Sequence, residues 1–174
     1  LAVKHFTAEG NYDFRCLLFV PKHAPTDMFN VHKQHSKLNL HVRRVLVEEK
    51  CDDLVPDWLS FVVGIVDSED LPLNVSREML QTNNIVKVMR KSVIKKCVEM
   101  FNDLAEDDDK YGVFYGEYHQ NIKLAIHENA GDSKMLPLLR FRTANNDSLV
   151  SLEDYVSGLE DTEPILYMTG ASRS

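Results

Sequence analysis

The stretch Ile85–Leu104, IVKVMRKSVIKKCVEMFNDL, carries the strongest structural signal in the chain. Its apolar residues Met89, Val93, Cys97 and Phe101 recur every four positions, and this spacing places them on one face of an α-helix. We therefore predict a helix of about five turns whose apolar face packs on a core. Five basic residues are expected largely on its solvent side: Lys87, Arg90, Lys91, Lys95 and Lys96.

Two stretches upstream of this helix alternate with the period of a β-strand. DFRCLLFV, residues 13–20, ends at Pro21 and places four apolar residues on one face: Phe14, Cys16, Leu18 and Val20. LNLHVRRVLVEE, residues 38–49, alternates through Leu38, Leu40 and Val42. We predict that the two stretches form a hairpin-like pair with a long connection.

The residues on either side of the helix are predicted as follows. LVPDWLSFVVGIVD, residues 54–67, is a mostly apolar helix that begins near Pro56, and a short strand alternates after it from Leu71. AEDDDKYG, residues 105–112, is a charged break, and FYGEYHQNIKLAIHEN, residues 114–129, is a second amphipathic helix. Strands that alternate with helices favour a layered α/β architecture.

Two further elements are predicted near the end of the chain. Ser151 followed by Asp154 indicates a helix cap at the start of SLEDYVSGL. PILYMTG, residues 164–170, has the composition of a buried strand that ends at Gly170.

Composition limits the classes of function. The 174 residues are 44% hydrophobic and carry a formal net charge of −7, which disfavours a nucleic-acid interface. No apolar run approaches the ~20 residues of a membrane span. The start at Leu1, with no signal peptide, indicates a fragment. The three cysteines form neither a disulfide framework nor a paired metal motif, and Cys16 and Cys97 are expected to be small core residues.

Other candidate sites have ordinary explanations. His32 and His35 lack two further metal ligands at suitable spacing, so we expect solvated loop histidines and no metal site. The basic side of the Ile85–Leu104 helix could dock an acidic partner or phosphate, although such a face is more often hydrated. The glycosylation acceptors at Asn74 and Asn146 are expected to occur by chance. No phosphate-cradling glycine loop or hydrolase motif is present in the sequence.

Arg77 is the residue whose setting suggests chemistry. It follows carboxylates and a proline in DSEDLPLNVSREMLQ, residues 67–81. If SREMLQ opens a helical turn, Arg77 and Gln81 stand at i and i+4 on one face. A guanidinium fork suits a phosphate or carboxylate. From spacing alone, an ion pair with a neighbouring carboxylate is the commoner outcome, with three candidates: Glu69, Asp70 and Glu78.

The same residues carry a family resemblance. VVGIVDSEDLPLNVSREMLQ and KVMRKSVIKKCVEMFNDLAE closely resemble the middle segment of the heat-shock protein 90 chaperones. LAVKHFTAEG, FRCLLFVPKHAP, LHVRRV, NIKLAIHE and SLEDYV resemble it too, in the same order along essentially the whole chain.

The resemblance implies an α/β (α+β) fold with three parts. Residues 1–106 would be the larger αβα sandwich, truncated at its start. Residues 107–132 would be a short helical linker, and residues 133–174 would begin a smaller αβα unit. ATP with Mg²⁺ would be bound mainly by a separate N-terminal domain, and a homodimer would form through a C-terminal domain. Neither domain lies in this chain.

The resemblance also implies an activity. Arg77 matches the arginine that reaches the ATP γ-phosphate in trans when the chaperone closes, and Gln81 matches its nearby polar partner. A fixed cation would stabilise the charge on the transferring phosphoryl group. The full-length protein would hydrolyse ATP and bind client proteins, co-chaperones and its own N-terminal ATP domain, whereas this fragment alone would be inactive.

Two other functions remain as alternatives. One is a non-catalytic platform for clients and co-chaperones. The other is the transducer domain of a DNA mismatch-repair or topoisomerase ATPase, which the charge of −7 and the SREMLQ motif disfavour.

Two positions depart from the family pattern, and other stretches suggest a compartment. Thr26 and Leu46 stand where relatives commonly have phenylalanine in contact with clients or the N-terminal domain. LVSLEDYVSGLEDTEPILYMTGASRS, LLRFRTAN and NVSRE look more like the endoplasmic reticulum form of the family than the cytosolic form. We therefore predict the endoplasmic reticulum lumen, with cytoplasm as the alternative. A glycan at Asn74 would hinder closure, so we predict that Asn74 is unoccupied.

Overall fold

The computed structural model describes residues 1–10, 12–25, 35–72, 84–128, 133–144, 148–160 and 163–170. These residues form a mixed α/β structure, which confirms the predicted fold class. The strands are β1 (Ala2–Ala8), β2 (Phe14–Val20), β3 (Lys37–Val42), β4 (Val45–Glu48), β5 (Val63–Ser68), β6 (Arg140–Arg142) and β7 (Leu149–Ser151). The helices are α1 (Asn84–Ala105), α2 (Asp108–Glu128) and α3 (Leu152–Ser157), with 3₁₀ turns at Asp52–Leu54, Asp57–Leu59 and Ser133–Leu138.

The first five strands form one sheet in the order β1-β2-β5-β3-β4. The β5–β3 pair is parallel and the other neighbours are antiparallel. Strand β2 buries the four residues predicted from its alternation, and β3 buries Leu38, Leu40 and Val42 as predicted. Helix α1 packs against β1 and β2, so these side chains form the core between sheet and helix.

The predicted pairing of β2 with β3 is wrong, because β5 lies between them. Gly64 of β5 stands opposite Leu18 on one side and Leu38 on the other. The actual hairpin is β3–β4, which turns at Arg43 and Arg44. After β2 the chain therefore re-enters the sheet on the far side of β5 and not beside β2. The local sequence pattern does not indicate this strand order.

The helix predicted from Pro56 is also wrong. Residues 52–59 form two short 3₁₀ turns, and residues 63–68 form β5. Burial along β5 alternates, with Gly64, Val66 and Ser68 inside while Val63 and Ile65 are partly exposed. β-Branched residues fit a pleated strand better than a helix, and pairing on both edges makes β5 central.

Helix α1 confirms the strongest prediction. The four residues at spacing four, Met89, Val93, Cys97 and Phe101, are all buried. The charged break predicted over residues 105–112 is much shorter than expected, because only residues 106 and 107 separate the helices and α2 already begins at Asp108. Helix α2 contains the predicted amphipathic stretch up to Glu128.

An aromatic cluster joins the two helices to the sheet side of the core. The Phe61 ring stacks on Tyr118 of α2 with centroids 4.2 Å apart and on Phe101 of α1 at 5.9 Å. Phe114 lies 5.0 Å from Phe101 and 5.4 Å from Tyr118. Helix α2 therefore shares its core with α1 and with the turn that precedes β5.

The end of the described chain gives one confirmation and one correction. The Ser151 hydroxyl accepts a hydrogen bond from the Asp154 N–H at 3.0 Å, which confirms the predicted cap of α3. PILYMTG is not a buried strand, since residues 163–170 have no regular structure and Met168 is 96% exposed. An apolar run becomes a buried strand only where a neighbouring strand pairs with it, and none does so within the described residues.

All three cysteines are buried free thiols, which confirms the core role predicted for Cys16 and Cys97. Across the residues with described positions, no helix is long and apolar enough to cross a membrane.

Candidate functional site

The chain between β5 and α1 contains the predicted site. Arg77 and Gln81 lie outside the described residues, as do Leu73, Asn74 and Val75. The structure describes the two ends of this segment, up to Pro72 and from Asn84 onward.

The chain leaves β5 at a corner built on Ser68. Ser68 is buried, and its hydroxyl oxygen accepts hydrogen bonds from the N–H groups of Asp70 and Leu71, each at 3.3 Å. The Ser68 carbonyl accepts from the Arg43 N–H at 3.0 Å. Leu71 is only 1% exposed and anchors the corner in the core. Short polar side chains that bond nearby N–H groups are typical of turns. Here the Ser68 hydroxyl fixes the backbone of residues 68–71, just before the segment that contains Arg77.

The carboxylates at this corner have contacts of their own. Asp70 Oδ2 accepts from the Asp13 N–H at 2.5 Å, and Glu69 Oε1 lies 3.9 Å from Arg15 Nη2. Two of the three carboxylates considered as partners of Arg77 are thus engaged elsewhere. The local ion pair of Arg77 stays a prediction.

The other end of the segment is anchored through Arg90. Its Nη1 donates to the carbonyls of Asp53 and Val55 at 3.1 and 2.9 Å, which ties α1 to the first 3₁₀ turn. The prediction that Arg90 lies on the solvent side is therefore wrong. Arg90 follows the buried Met89 at the edge of the apolar face, where a long side chain can reach across a packed surface. In the sequence, this position next to an apolar-face residue is the feature that indicates a packed arginine.

The rest of the basic side is as predicted for three residues. Lys87, Lys91 and Lys95 are exposed and recur every four positions along α1. Lys96 is half-buried and pairs with Glu99, with 2.6 Å between Nζ and Oε2. The exposed lysines form a basic stripe (Lys87, Lys91 and Lys95), which begins about one turn after the start of α1.

The hairpin between β3 and β4 presents the departure at Leu46. Arg43 and Arg44 both have positive φ, 50° and 67°, which is the turn geometry that suits the twist of a hairpin. Leu46 is 45% exposed and Val45 is 54% exposed. Leu46, where the family resemblance leads us to expect phenylalanine, is therefore on the surface. Thr26, the other departure, lies outside the described residues.

Of the two loop histidines considered as metal ligands, the structure describes only His35. His35 Nδ1 lies 3.0 Å from Asp52 Oδ2, and His32 is outside the described residues. The described parts of the chain contain no group of three or more side chains able to hold a metal ion. Burial raises the pKa of the Cys51 and Cys97 thiols to about 12 and also raises the pKa of Cys16, so these thiols are poor nucleophiles.

Comparison with known proteins decides the family. The family model described as Hsp90 protein matches residues 1–174. The chain belongs to the Hsp90 family. This membership confirms the resemblance that SREMLQ and its neighbouring motifs indicated.

Individual Hsp90-family relatives have three different names. The chain is 49% identical to Heat shock protein 83 of Leishmania donovani over 99% of its length and 43% identical to Chaperone protein HtpG of Myxococcus xanthus over 99%. It is 42% identical to an Endoplasmin homolog of Caenorhabditis elegans over 97%. Endoplasmin homologues are thus among its relatives, as the sequence suggested, although the match to Heat shock protein 83 has the higher identity.

The chain spans only part of these Hsp90-family proteins. It covers 39% of Heat shock protein 83, 27% of the HtpG protein and 22% of the nematode Endoplasmin homolog. The activity of a whole Hsp90-family protein is therefore a proposal for this chain.

Proposed function

We propose that this chain is the middle segment of an ATP-dependent molecular chaperone. It would bind client proteins and co-chaperones, assisting protein folding, and supply Arg77 to the γ-phosphate of ATP bound in a separate N-terminal domain. The match of the Hsp90 family model to residues 1–174 carries this proposal, because it includes the SREMLQ motif in full.

The chemistry assigned to Arg77 follows from the charge of phosphoryl transfer. Negative charge on the transferring phosphate favours a fixed cation over a mobile one. Gln81 would orient that cation, and Mg²⁺ would be held with ATP mainly by the N-terminal domain. The anchoring of Leu71 and Arg90 supports the proposal, since it restricts where the intervening residues begin and end.

The division into three parts belongs to the same proposal. Residues 1–106 would form the larger αβα part, 107–132 the helical linker and 133–174 the start of the smaller αβα part. The short break between α1 and α2 supports the first boundary. The homodimer would form through a C-terminal domain outside this chain.

The compartment is proposed as the endoplasmic reticulum lumen, with cytoplasm as the alternative. The Endoplasmin homolog of Caenorhabditis elegans supports the former, and the 49% identity to Heat shock protein 83 supports the latter. Fluorescence microscopy of the tagged parent protein at its native expression level, with a lumenal marker and a cytosolic marker, distinguishes the two.

The test of catalysis uses the full-length parent protein. We expect Arg77→Ala to reduce steady-state ATP hydrolysis strongly, while ATP still binds the N-terminal domain with unchanged affinity. Gln81→Ala should reduce turnover less. Lys123→Ala, at an exposed position of α2 outside both the predicted site and the basic stripe, is the matched control. Unchanged turnover in Arg77→Ala would make the arginine structural and favour the binding-platform function.

That second function has support of its own in the basic stripe of α1. Three exposed cations at helical spacing suit an acidic partner surface. Reversal of all three lysines to glutamate should weaken co-chaperone binding and its salt dependence but leave basal ATP hydrolysis unchanged. A loss of basal hydrolysis would argue instead that the stripe faces the N-terminal domain.

A further inference from the structure

Helix α2 holds the chain that follows it through two tyrosines one turn apart. The Tyr115 hydroxyl donates to the Arg140 carbonyl at 2.9 Å, and the Tyr111 hydroxyl donates to the Leu138 carbonyl. Residues four positions apart lie on the same face of an α-helix, so both hydroxyls reach the same stretch of chain. That stretch is the junction between the 3₁₀ turn Ser133–Leu138 and β6.

Arg140 folds back onto the helix that its carbonyl contacts. Its guanidinium carbon lies 4.5 Å from the centre of the Tyr111 ring, which is within the range of a cation–π contact. Arg140 Nη1 also donates to the carbonyls of Pro137 at 2.8 Å and Leu139 at 3.0 Å. These carbonyls lie at the end of the 3₁₀ turn, where a basic side chain can supply the missing donors. Arg140 thus contacts both the turn and α2.

The two tyrosines remain hydrogen-bond donors at neutral pH. Burial raises the pKa of both Tyr111 and Tyr115, and neither residue is more than 4% exposed. Leu138 is fully buried as well, so its carbonyl has no access to water as an alternative partner. Because a buried carbonyl without a donor is costly, we expect the Tyr111 bond to persist.

Apolar packing lies beneath these polar contacts. Met135, Leu138 and Leu139 are buried in the same core as α1 and α2. Apolar contacts hold surfaces together but tolerate sliding and rotation, because they have no preferred direction. Hydrogen bonds are directional, so the bonds to residues 138 and 140 fix the orientation in which the chain leaves α2.

Strand β6 carries this orientation to the rest of a second unit (β6, β7 and α3). It pairs antiparallel with β7 along its whole length, from Arg140 opposite Ser151 to Arg142 opposite Leu149. Ser151 caps α3, which packs on β7 and on the 3₁₀ turn. Elements tied together in this way turn together when the first strand turns.

We propose that Tyr111, Tyr115 and Arg140 form a rigid joint, the tyrosine–arginine joint, that makes the second unit follow α2 as one body. The inference goes beyond the proposed function, since it requires neither ATP nor a client protein. The boundary proposed between residues 132 and 133 would then divide the sequence without being a point of free bending.

Residual dipolar couplings of the backbone amides in the 174-residue chain measure the relative orientation directly. In the wild type, one alignment tensor should fit the amides of α2 and those of the second unit. The triple variant Tyr111→Phe/Tyr115→Phe/Arg140→Met keeps both rings and an unbranched side chain at residue 140 but removes the hydroxyls and the guanidinium. We expect this variant to lose the common tensor, with weaker alignment of the second unit than of α2.

Two control variants separate the joint from general stability. Tyr167→Phe removes a hydroxyl from a residue that is 88% exposed, and it should keep the common tensor. Val20→Ala leaves a cavity in the core beside β2, so it should lower the urea midpoint and still keep the common tensor. Loss of the common tensor in Val20→Ala would overturn the specific role of the joint, because general destabilisation would then loosen the second unit.

The remaining outcomes decide the proposal. Two different tensors in the wild type would overturn the joint outright. One common tensor in a folded triple variant would also overturn it, because apolar packing alone would then hold the second unit. If the triple variant does not fold, the Tyr111→Phe/Tyr115→Phe variant decides, since it keeps both rings and the core packing. A common tensor in that double variant contradicts the proposal, and separate tensors support it.

Discussion

At the scale of single residues, Arg90 shows how one side chain can connect two elements. It belongs to a helix face that periodicity assigns to solvent, yet its guanidinium donates to the carbonyls of Asp53, in the first 3₁₀ turn, and of Val55, the residue that follows the turn. The same turn carries Asp52, whose Oδ1 accepts a hydrogen bond from the Ser36 N–H at 2.7 Å.

The first prediction concerns this residue. Arg90→Ala should lower the free energy of unfolding by about 1.5–3 kcal/mol, because hydrogen bonds from a charged donor are lost and two carbonyls are left to half-buried surroundings. Urea unfolding of the 174-residue chain measures the change. Lys91→Ala is the control, since Lys91 is exposed on the adjacent helix position. Equal effects of the two substitutions would contradict the role of Arg90.

The second prediction concerns the thiols. Burial raises the pKa of Cys51 and Cys97 to about 12 and raises that of Cys16 as well. Only about one thiol in 10⁴ of either Cys51 or Cys97 is ionised at pH 8. Ellman's reagent should therefore react slowly with the native chain and rapidly with all three thiols after unfolding in guanidinium. Fast reaction of one thiol in the native chain would show that the core around that cysteine opens to solvent.

At the scale of elements, the position of β5 in the centre of the sheet places strict demands on Gly64. A Cβ added there would lie 2.2 Å from the Leu17 carbonyl oxygen, which belongs to the neighbouring strand. The strands cannot separate at that point without losing their pairing, because β5 has a partner on both edges.

The third prediction compares glycines in two elements. Gly64→Ala should destabilise the chain by about 3 kcal/mol or more, because a backbone atom cannot move out of the way. Gly112→Ala in α2 meets nothing within 4 Å and should stabilise the chain by about 0.5–1 kcal/mol through helix propensity. Thermal unfolding of both variants, compared with wild type, measures the contrast. Destabilisation by Gly112→Ala would mean that α2 is packed more tightly there.

At the scale of the whole molecule, we expect the aromatic cluster to make the elements that share it unfold together. Phe61, Phe101 and Tyr118 bring the turn before β5, α1 and α2 into one packed group. Trp58 is the one tryptophan in the sequence and is buried in the same hydrophobic core, so its fluorescence reports on that core.

The fourth prediction follows from that shared core. Phe61→Ala should cost about 3–5 kcal/mol, the range for a buried phenylalanine. In wild type and variant alike, Trp58 fluorescence and far-ultraviolet circular dichroism should follow one urea transition with a common midpoint. Helical signal that persists after the Trp58 transition would instead indicate that residues 107–132 unfold as an independent linker.

Local periodicity alone determined several features of this protein. The buried face of β2, the buried repeat of Met89, Val93, Cys97 and Phe101 in α1, and the Ser151 cap were predictable, because each depends on residues within a few positions of one another. The family was also readable from the sequence, since SREMLQ and its flanking motifs occur in order.

Only the tertiary structure decided the rest. Three features join residues that are far apart in the chain: the insertion of β5 between β2 and β3, the contacts of Arg90, and the contacts of Glu117 with His23 and of Asp52 with His35. The separation reaches 94 positions for His23 and Glu117. A hydrogen bond between such residues leaves no periodic pattern in the sequence. Packing of distant elements selects the partner, and β-branched residues that look like a helix start after a proline become a strand once two neighbours pair with them.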